Sequence, residues 1–168
     1  MSLYLEPLYL DDLFVGQRFT SRAHELDAAQ IVAFARQFDP QAFHLDDEAA
    51  RDTMFGGLAA SGWHTAAITM RLLVGDGAPF AGGIIGAGAE VAWPGPTRPG
   101  DVLRVVSEVV EITPSRSKPR GIVTLCSETL NQHREIRQSM TSKLVVPRRL
   151  DAAETPDPAT ASCPARAR

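Results

Sequence analysis

Two side chains that can move protons, the Asp39 carboxylate and the His44 imidazole, lie five residues apart on a segment that contains Pro40. This spacing would place them on different faces of a regular helix and on opposite faces of a flat strand. They can meet only if the segment curls, which Pro40 favours. A carboxylate and a neutral imidazole that meet in a half-apolar pocket can hold and deprotonate one water molecule. The alternative is that Asp39 only caps a helix end and that His44 lies on the surface, because acidic residues beside proline commonly form turns.

The backbone N–H of Gly62 is a second candidate, because it stands at the start of a long apolar segment. Ser61 is a suitable N-cap, so Gly62 would be the first helical residue, with an N–H that has no partner inside the helix. That N–H lies at the positive end of the helix dipole, and a residue without a Cβ lets another group approach it closely. The pattern predicts an oxyanion site for a carbonyl such as that of a thioester. The alternative is that Gly62 only permits tight packing.

The other histidines, cysteines and glycines do not form a cofactor motif. The three remaining histidines lack the spacing of metal ligands, and we expect His64 to lie in the core or in a pocket wall. Neither Cys126 nor Cys163 belongs to a CxxC motif. The glycines between positions 82 and 88 lie outside any βαβ unit, so they are not a dinucleotide fingerprint. We therefore expect neither a metal nor a cofactor.

Length, charge and hydropathy restrict the class of protein. The chain has 168 residues, 44% of them hydrophobic, and a formal net charge of -3, which gives no basic footprint for nucleic acid. No basic N-terminal region precedes an apolar run, and the longest apolar stretch, 58–74, is too short for a comfortable membrane span. The two scattered cysteines fit a reducing compartment. We expect a cytoplasmic protein that binds neither nucleic acid nor membrane.

Capping residues and proline predict three helices in the first half of the chain. With their caps they span about 27–38, 46–52 and 61–74, and the third is apolar on nearly every face, so other elements should wrap it. Alternating or apolar runs predict strands at 17–25, 83–93, 101–112, 121–131 and 138–146. This order is typical of an α+β fold in which an antiparallel sheet wraps around a long apolar central helix.

The domain boundary and the oligomeric state follow from the same pattern. Residues 1–147 are predicted to form a single domain. Residues 148–168 are rich in Pro, Ala, Thr, Ser, Asp and Arg without an apolar period, which predicts a disordered tail. A sheet on one side would leave half of the central helix bare. A second copy would cover it, so we predict a homodimer.

Three motifs occur in order along the chain: Asp39-Pro40-Gln41-x-Phe43-His44, Phe55-Gly56-Gly57-(x)4-Gly62 and Trp93-Pro94-(x)4-Pro99-Gly100-Asp101-x-Leu103. This combination resembles the MaoC-like dehydratases, which include the (R)-specific enoyl-CoA hydratases of the hot-dog superfamily. The resemblance spans about residues 10–147. It implies the hot-dog fold and a dimer with acyl-thioester sites between the subunits.

The resemblance also implies roles for individual residues. Asp39 and His44 match the pair that activates water, and the N–H of Gly62 matches the donor to the thioester carbonyl. The residues expected around the substrate are Phe43, Phe55, Gly57, Ser61, Trp63 and Met70. The chain departs from the best-known hydratases at four positions: Gln41 and Ala42 replace Asn and Pro, Ser61 stands where many members have His, and Met70 aligns with a serine of the acyl pocket. These departures bear on the substrate and its chain length more than on the water-activating pair.

The expected activity is that of a hydro-lyase. It would reversibly hydrate a trans-2-enoyl thioester of CoA, or of acyl-carrier protein, to a 3-hydroxyacyl thioester. One alternative is a thioesterase of the same fold, although many of these carry their acid on or beside the central helix, where this chain has none. Another is a non-catalytic acyl-thioester-binding protein. Fold alone does not decide among the three.

Overall fold

A computed structural model describes residues 6–149 of the protein as an antiparallel sheet packed against a central helix. The helices are α1 (Ala28–Phe38), α2 (Ala42–Leu45), α3 (Asp47–Arg51) and α4 (Gly62–Leu72). The strands are β1 (Arg18–Thr20), β2 (His24–Glu25), β3 (Ile85–Ala92), β4 (Val102–Pro114), β5 (Arg120–Leu130) and β6 (Ile136–Pro147). A short 3-10 turn at Leu10–Asp12 precedes β1, and a π-helical turn at Leu73–Gly77 extends α4. The predicted α+β order is confirmed.

The three predicted helices begin where the capping residues predict, whereas α2 was not predicted and has no side-chain cap. The Asp27 carboxylate accepts the Gln30 N–H at the start of α1, and the Asp46 carboxylate accepts the Ala49 N–H at the start of α3. The Ser61 hydroxyl accepts the Trp63 N–H at the start of α4. Each cap satisfies a backbone donor that has no partner inside its helix.

The sheet has six strands in the order β1-β4-β5-β6-β3, and β2 also pairs with β4. All of these pairings are antiparallel. The predicted strand at 17–25 is split into β1 and β2, which follow one another along β4. β3 comes directly after the central helix in the sequence but lies beside β6, so it forms one edge of the sheet.

The core lies between α4 and one face of the sheet. Ile68 and Leu72 of α4 are buried in one cluster with the inward side chains of β4, β5 and β6, which are Leu103, Val105, Val109, Val123, Leu125, Leu144 and Val146. In β4 the inward residues are therefore Leu103, Val105 and Val109, and Val102, Arg104 and Val106 lie on the opposite face. Val109 and Glu111 flank a register shift, beyond which the alternation of β4 is lost.

The side of α4 that faces away from the sheet is bare, as the sequence predicts. Trp63 and Met70 of α4 and Val74 of the π-helical turn are exposed. Ile85 is exposed on β3, a strand in which every residue except Val91 is exposed. An exposed apolar helix face next to an unpaired strand edge is an unusual surface for a monomer.

The chain after β6 continues against the domain for two residues. The Arg149 guanidinium pairs with Asp12 at 2.8 Å and stacks 4.7 Å from the centre of the Tyr9 ring. The Arg148 N–H donates to the Pro119 carbonyl at 2.9 Å. The rest of the predicted tail, 150–168, lies outside the described residues. None of the helices in 6–149 has the length and hydrophobicity of a membrane span.

Candidate active site

Asp39 and His44 meet at the end of α1. Asp39 is the C-cap of α1, with φ -152° and ψ 70°, and Pro40 follows it. The chain then turns into the single turn of α2, which carries His44 back toward Asp39. The His44 Nε2 atom lies 3.4 Å from the Asp39 Oδ2 atom. The side chains of His44 and Asp39 are 6% and 18% exposed, so the pair is almost withdrawn from water.

A backbone carbonyl determines which nitrogen of His44 faces Asp39. The Nδ1 atom lies 2.6 Å from the carbonyl oxygen of Ala59. A carbonyl can only accept, so Nδ1 must carry a proton and donate it. The Nε2 atom therefore faces the carboxylate, and in neutral His44 it offers a lone pair. A water donor placed between them would find two acceptors.

The Asp39 carboxylate is kept in its ionised form by its neighbours. The Gln41 side-chain amide donates to the Asp39 Oδ1 atom at 2.7 Å. Burial raises the pKa of Asp39, but the nearby Ser61 hydroxyl, the Gln41 amide and the His44 imidazole together outweigh it, so the pKa lies below the ordinary 3.8. At neutral pH the group is a carboxylate, the form that accepts a proton.

The N-terminus of α4 faces the same cavity as His44. The cavity has a volume of about 340 Å³, and its lining includes His44, Phe55, Ala60, Gly62 and Thr65. Gly62 is the first residue of α4, so its N–H cannot be satisfied inside the helix and lies at the positive end of the helix dipole. The cavity thus brings together His44, which pairs with Asp39, and a candidate oxyanion donor.

An indole packs against Gly62. A Cβ built at position 62 would lie 2.8 Å from the Cδ2 and Cε2 atoms of Trp93. A side chain at this position would therefore displace the indole, which means that Gly62→Val would perturb packing as well as access to the N–H. Gly62 thus permits tight packing and also lines the cavity, and its role as an oxyanion donor remains a prediction.

Two phenylalanines surround the imidazole. The Phe43 ring meets His44 edge-on with ring centres 4.5 Å apart, and it lies 4.9 Å from Phe55. These rings lower the local polarity around the pair. Phe38, which precedes Asp39 at the end of α1, is exposed and packs on Phe34 instead.

The remaining residues expected around the substrate are spread over several places. Ser61 is buried at the start of α4 beside Asp39. Trp63 lies on the open side of α4, edge-on to Trp93 at 5.3 Å. The Gly57 carbonyl accepts the Arg98 guanidinium at 2.7 Å, so this residue belongs to a loop clamped by arginine. Met70 lines a second, apolar groove of about 280 Å³ between α4, β3 and β6. Their contact with substrate remains a prediction.

Several residues of the site were not predicted as site residues. Gln41, which donates to Asp39, was recognised only as a departure from the usual hydratase motif. The cavity is lined in addition by Met54 and the segment from Trp93 to Thr97. The sequence did mark this segment, because Trp93-Pro94 belongs to the third motif. It lies about 50 residues after His44, so the sequence alone did not predict that both line one cavity.

His64 lies behind the site, in the contact between α1 and α4. Its ring stacks on Phe34 with centres 4.5 Å apart and planes 5° apart. The side chain is buried, and its Nδ1 atom has no hydrogen-bond partner among residues 6–149. Burial, together with the nearby His24, lowers the pKa of His64 to about 4. The prediction of a core or pocket-wall position is confirmed for the core.

No group of three His, Cys, Asp or Glu side chains in the described part of the chain converges in the way that a metal ion requires. The functional groups at the cavity are thus a carboxylate, an imidazole and a helix N-terminus. Together they can bind a carbonyl oxygen and move a proton close to it.

A curved antiparallel sheet laid along one apolar helix, with the polar site at the N-terminus of that helix, is the hot-dog fold. The chain belongs to the MaoC like domain family, which matches residues 14–130. The expected family and fold are therefore confirmed.

Individual proteins show the same likeness. The chain is 63% identical to a MaoC-like dehydratase from Rhodospirillum rubrum. The match to its crystal structure has a TM-score of 0.84 and covers 85% of this chain and 99% of that one. It is 32% identical over 124 residues to a 3-hydroxybutyryl-CoA dehydratase of Methylorubrum extorquens, over 73% of this chain and 76% of the relative. It is 28% identical to an (R)-hydratase from A. caviae involved in PHA biosynthesis, with a TM-score of 0.62 and coverage of 82% and 98%.

Proposed function

We propose that the protein reversibly hydrates a trans-2-enoyl thioester, such as an enoyl-CoA, to the 3-hydroxyacyl thioester. The observation that carries this proposal is that His44 and Gly62 line one cavity and that the Asp39 Oδ2 atom lies 3.4 Å from the His44 Nε2 atom. The family and the dehydratase and hydratase names of two relatives support hydro-lyase chemistry.

The proposed addition step uses the acid–base pair. A water donates its O–H groups toward Asp39 Oδ2 and His44 Nε2, and its oxygen forms a bond to C3 of the enoyl group. Asp39 accepts the proton that the water loses, while the C2–C3 π electrons move toward the thioester oxygen. The resulting enolate collapses and C2 takes one proton from the pair, with His44 as the shuttle. The pair gains and loses one proton, so it returns to its initial state.

The Gly62 N–H stabilises the charge that develops on the thioester oxygen. A donor that is already aimed at the oxygen requires no reorganisation during the reaction, and the helix dipole adds to its effect. Ser61 connects the two parts of the site, because its hydroxyl accepts the Trp63 N–H and lies beside the Asp39 carboxylate. The caps of α1 and α4 thereby position the base relative to the oxyanion donor.

The thioesterase alternative has less support from the geometry. Such an enzyme needs a carboxylate that acts on the carbonyl carbon, and α4 carries neither Asp nor Glu. A non-catalytic acyl-thioester-binding protein would not need an ionised Asp39 beside His44. The hydratase gives a role to both His44 and the Gly62 N–H, which face one cavity.

We propose a homodimer as the functional unit. The exposed apolar side of α4 and the open edge of β3 form a continuous surface that includes Trp63, Met70, Val74 and Ile85. A second copy that covers this surface would enclose the cavity beside Trp93 and the Met70 groove. The partner of the site is an acyl-CoA or acyl-carrier-protein thioester.

Loss of enoyl-thioester absorbance with enoyl-CoAs of increasing chain length tests the function. We expect turnover by the natural chain and a fall of at least about 10²-fold in kcat/KM for Asp39→Asn and for His44→Ala, the usual contribution of a positioned acid or base. Asp27→Asn is the matched control, because it makes the same change of carboxylate to amide at an N-cap where Asn is equally suitable.

The same substitutions also separate the proposed roles from folding. Circular dichroism and thermal unfolding should show that all three variants are folded. Turnover by folded Asp39→Asn and His44→Ala at the rate of the natural chain would refute the assignment of the pair. Hydrolysis of the thioester without hydration would point to the thioesterase.

A further inference from the structure

A chain of buried hydrogen bonds runs from the backbone of α4 to the indole of Trp93. The Thr69 hydroxyl lies 2.9 Å from the Thr65 carbonyl, and the Gln138 side-chain amide donates to the same hydroxyl at 3.2 Å. The Thr129 hydroxyl lies 2.6 Å from it. At the other end, the Trp93 Nε1–H donates to the Gln138 Oε1 atom at 2.9 Å. Gln138 on β6 is completely buried.

The directions of the bonds at Trp93 and Gln138 are determined by chemistry. An indole nitrogen can only donate, so Gln138 must turn its oxygen toward Trp93 and its NH2 group toward Thr69. The Thr69 hydroxyl accepts from Gln138, and its single proton can go to the Thr65 carbonyl or to the Thr129 hydroxyl. The side chains of Trp93, Gln138 and Thr69 are therefore linked by hydrogen bonds in either case. Fully satisfied buried networks of this kind rigidify the groups they connect.

The indole held at the end of this chain forms one wall of the cavity. It lies against Gly62 so closely that a Cβ there would stand 2.8 Å from two of its ring carbons. It is 39% exposed, and its open face lines the cavity that contains His44. Trp63 packs against it edge-on from the other side. Without the bond to Gln138, the indole would have only these apolar contacts to hold it.

We infer that Gln138 is a positioning residue, which holds the Trp93 indole against Gly62 so that the indole forms the rigid wall beside the bound thioester carbonyl. The inference rests on the proposed function for its effect on rate, since the carbonyl is placed by the Gly62 N–H. A held indole keeps water from the N–H and limits the positions that the carbonyl can adopt. Small losses of such orientation have large effects on rate.

The sequence offers a direct spectroscopic probe. Trp63 and Trp93 are the two tryptophans of the chain, so Trp63→Phe leaves Trp93 as the single indole emitter and retains an aromatic edge beside it. In this background we compare Gln138 with Gln138→Met, a side chain of similar length that cannot accept the indole N–H. We expect Gln138→Met to lower the fluorescence anisotropy of Trp93 and to shift its emission to longer wavelength.

Activity is measured in a double-mutant cycle with Trp93→Phe. Gln138→Met alone should lower kcat/KM for an enoyl-CoA about tenfold. In Trp93→Phe, which has no indole N–H, adding Gln138→Met should cost less than about twofold, because the partner is already gone. A purely structural role for Gln138, through Thr69, would give the same loss in both backgrounds and would refute the inference.

Ser107→Ala is the matched control for loss of a buried hydrogen bond. Ser107 on β4 bonds to Ser127 on β5 at 2.8 Å, one inward position along β5 from Thr129, and this bond involves neither Gln138 nor Trp93. We expect it to change stability without changing Trp93 anisotropy. If Gln138→Met should fail to fold, Gln138→Leu and Gln138→Ala make the same comparison.

The failure of the inference and the failure of the proposed function are distinguishable. If the natural chain hydrates no enoyl-CoA, the proposed function is wrong, while anisotropy and the affinity for a saturated acyl-CoA still decide whether Gln138 holds Trp93. If the natural chain is a hydratase but Trp93 anisotropy is the same with Gln138 and with Met, the inference is overturned. A fall in anisotropy with a non-additive loss of activity supports it.

Discussion

Gln41 is the residue that most directly affects the protonation state of Asp39, the proposed base. Its amide donates to Asp39 Oδ1 at 2.7 Å and contributes to the lowered pKa of that carboxyl. A donor to a carboxylate stabilises the charged form and disfavours the protonated one. Gln41 therefore extends the pH range in which Asp39 can accept a proton.

We predict that Gln41→Leu raises the pKa of Asp39 and moves the acid limb of the kcat/KM profile to higher pH. The sign follows because a proposed base works only when deprotonated, so a higher pKa removes it at a higher pH. The measurement is the pH dependence of enoyl-CoA hydration. Gln37→Leu, at an exposed position of α1, is the control. An acid limb that does not move in Gln41→Leu would show that Asp39 does not control it.

At the scale of elements, a buried histidine in the contact between α1 and α4 lowers the stability of the fold at acidic pH. The His64 ring is buried against Phe34, and its Nδ1 atom has no partner within residues 6–149. Its pKa is lowered to about 4. In the unfolded chain the ordinary value is 6.5. The unfolded chain thus binds more protons than the folded one between these values, and stability falls as the pH drops from about 6.5 to about 4.

We predict that His64→Phe makes the protein more resistant to acid. A phenyl ring can stack on Phe34 and has no proton to gain, so the difference in free energy of unfolding between pH 7 and pH 4.5 should shrink by on the order of 2 kcal/mol. Urea unfolding at the two pH values measures it. His133→Phe, in the exposed turn before β6, is the control. Equal acid sensitivity in the natural chain and in His64→Phe would contradict the prediction.

At the scale of the whole molecule, the exposed apolar surface on α4 and β3 is the basis of the proposed homodimer. Val74 is 63% exposed at the end of α4, and Ile85 is exposed on the edge strand β3. An unpaired strand edge beside an apolar helix face promotes association with a second chain. Met70, which belongs to this surface, also lines the apolar groove between α4, β3 and β6.

We predict that Val74→Glu converts a dimer into a folded monomer. A charge at this position is harmless in a monomer, where the side chain is exposed, but unfavourable in a dry interface. Sedimentation and light scattering measure the mass. Val15→Glu is the control, because Val15 is similarly exposed, at 61%, in the turn before β1, the strand at the other end of the sheet order from β3. A natural chain that sediments as a monomer would overturn the proposed homodimer.

The C-terminal segment gives a second prediction at this scale. Residues 150–168 have no apolar period, so they have little to add to a core. Arg148 and Arg149, by contrast, contact the domain. A chain that ends at Leu150 should therefore keep its melting temperature within a few degrees. A large fall in melting temperature would show that the segment docks.

The sequence by itself determined the order of elements and where several of them begin. Asp27, Asp46 and Ser61 cap their helices through bonds to residues two or three positions away, and Pro40 ends α1 through its own ring. These effects act within one turn of chain, so neighbouring residues suffice to predict them. The five-residue spacing of Asp39 and His44 also indicated that they meet if the chain bends, because the bend is local.

Only the tertiary structure decided which residues complete the site. The alternation in β4 indicated a strand, but the inward face is chosen by packing against α4, since either set of alternate residues could face the core. The tautomer of His44 depends on the Ala59 carbonyl, 15 positions away, and the place of Trp93 depends on Gln138, 45 positions away. Such contacts are made when distant segments pack, and no spacing in the sequence encodes them.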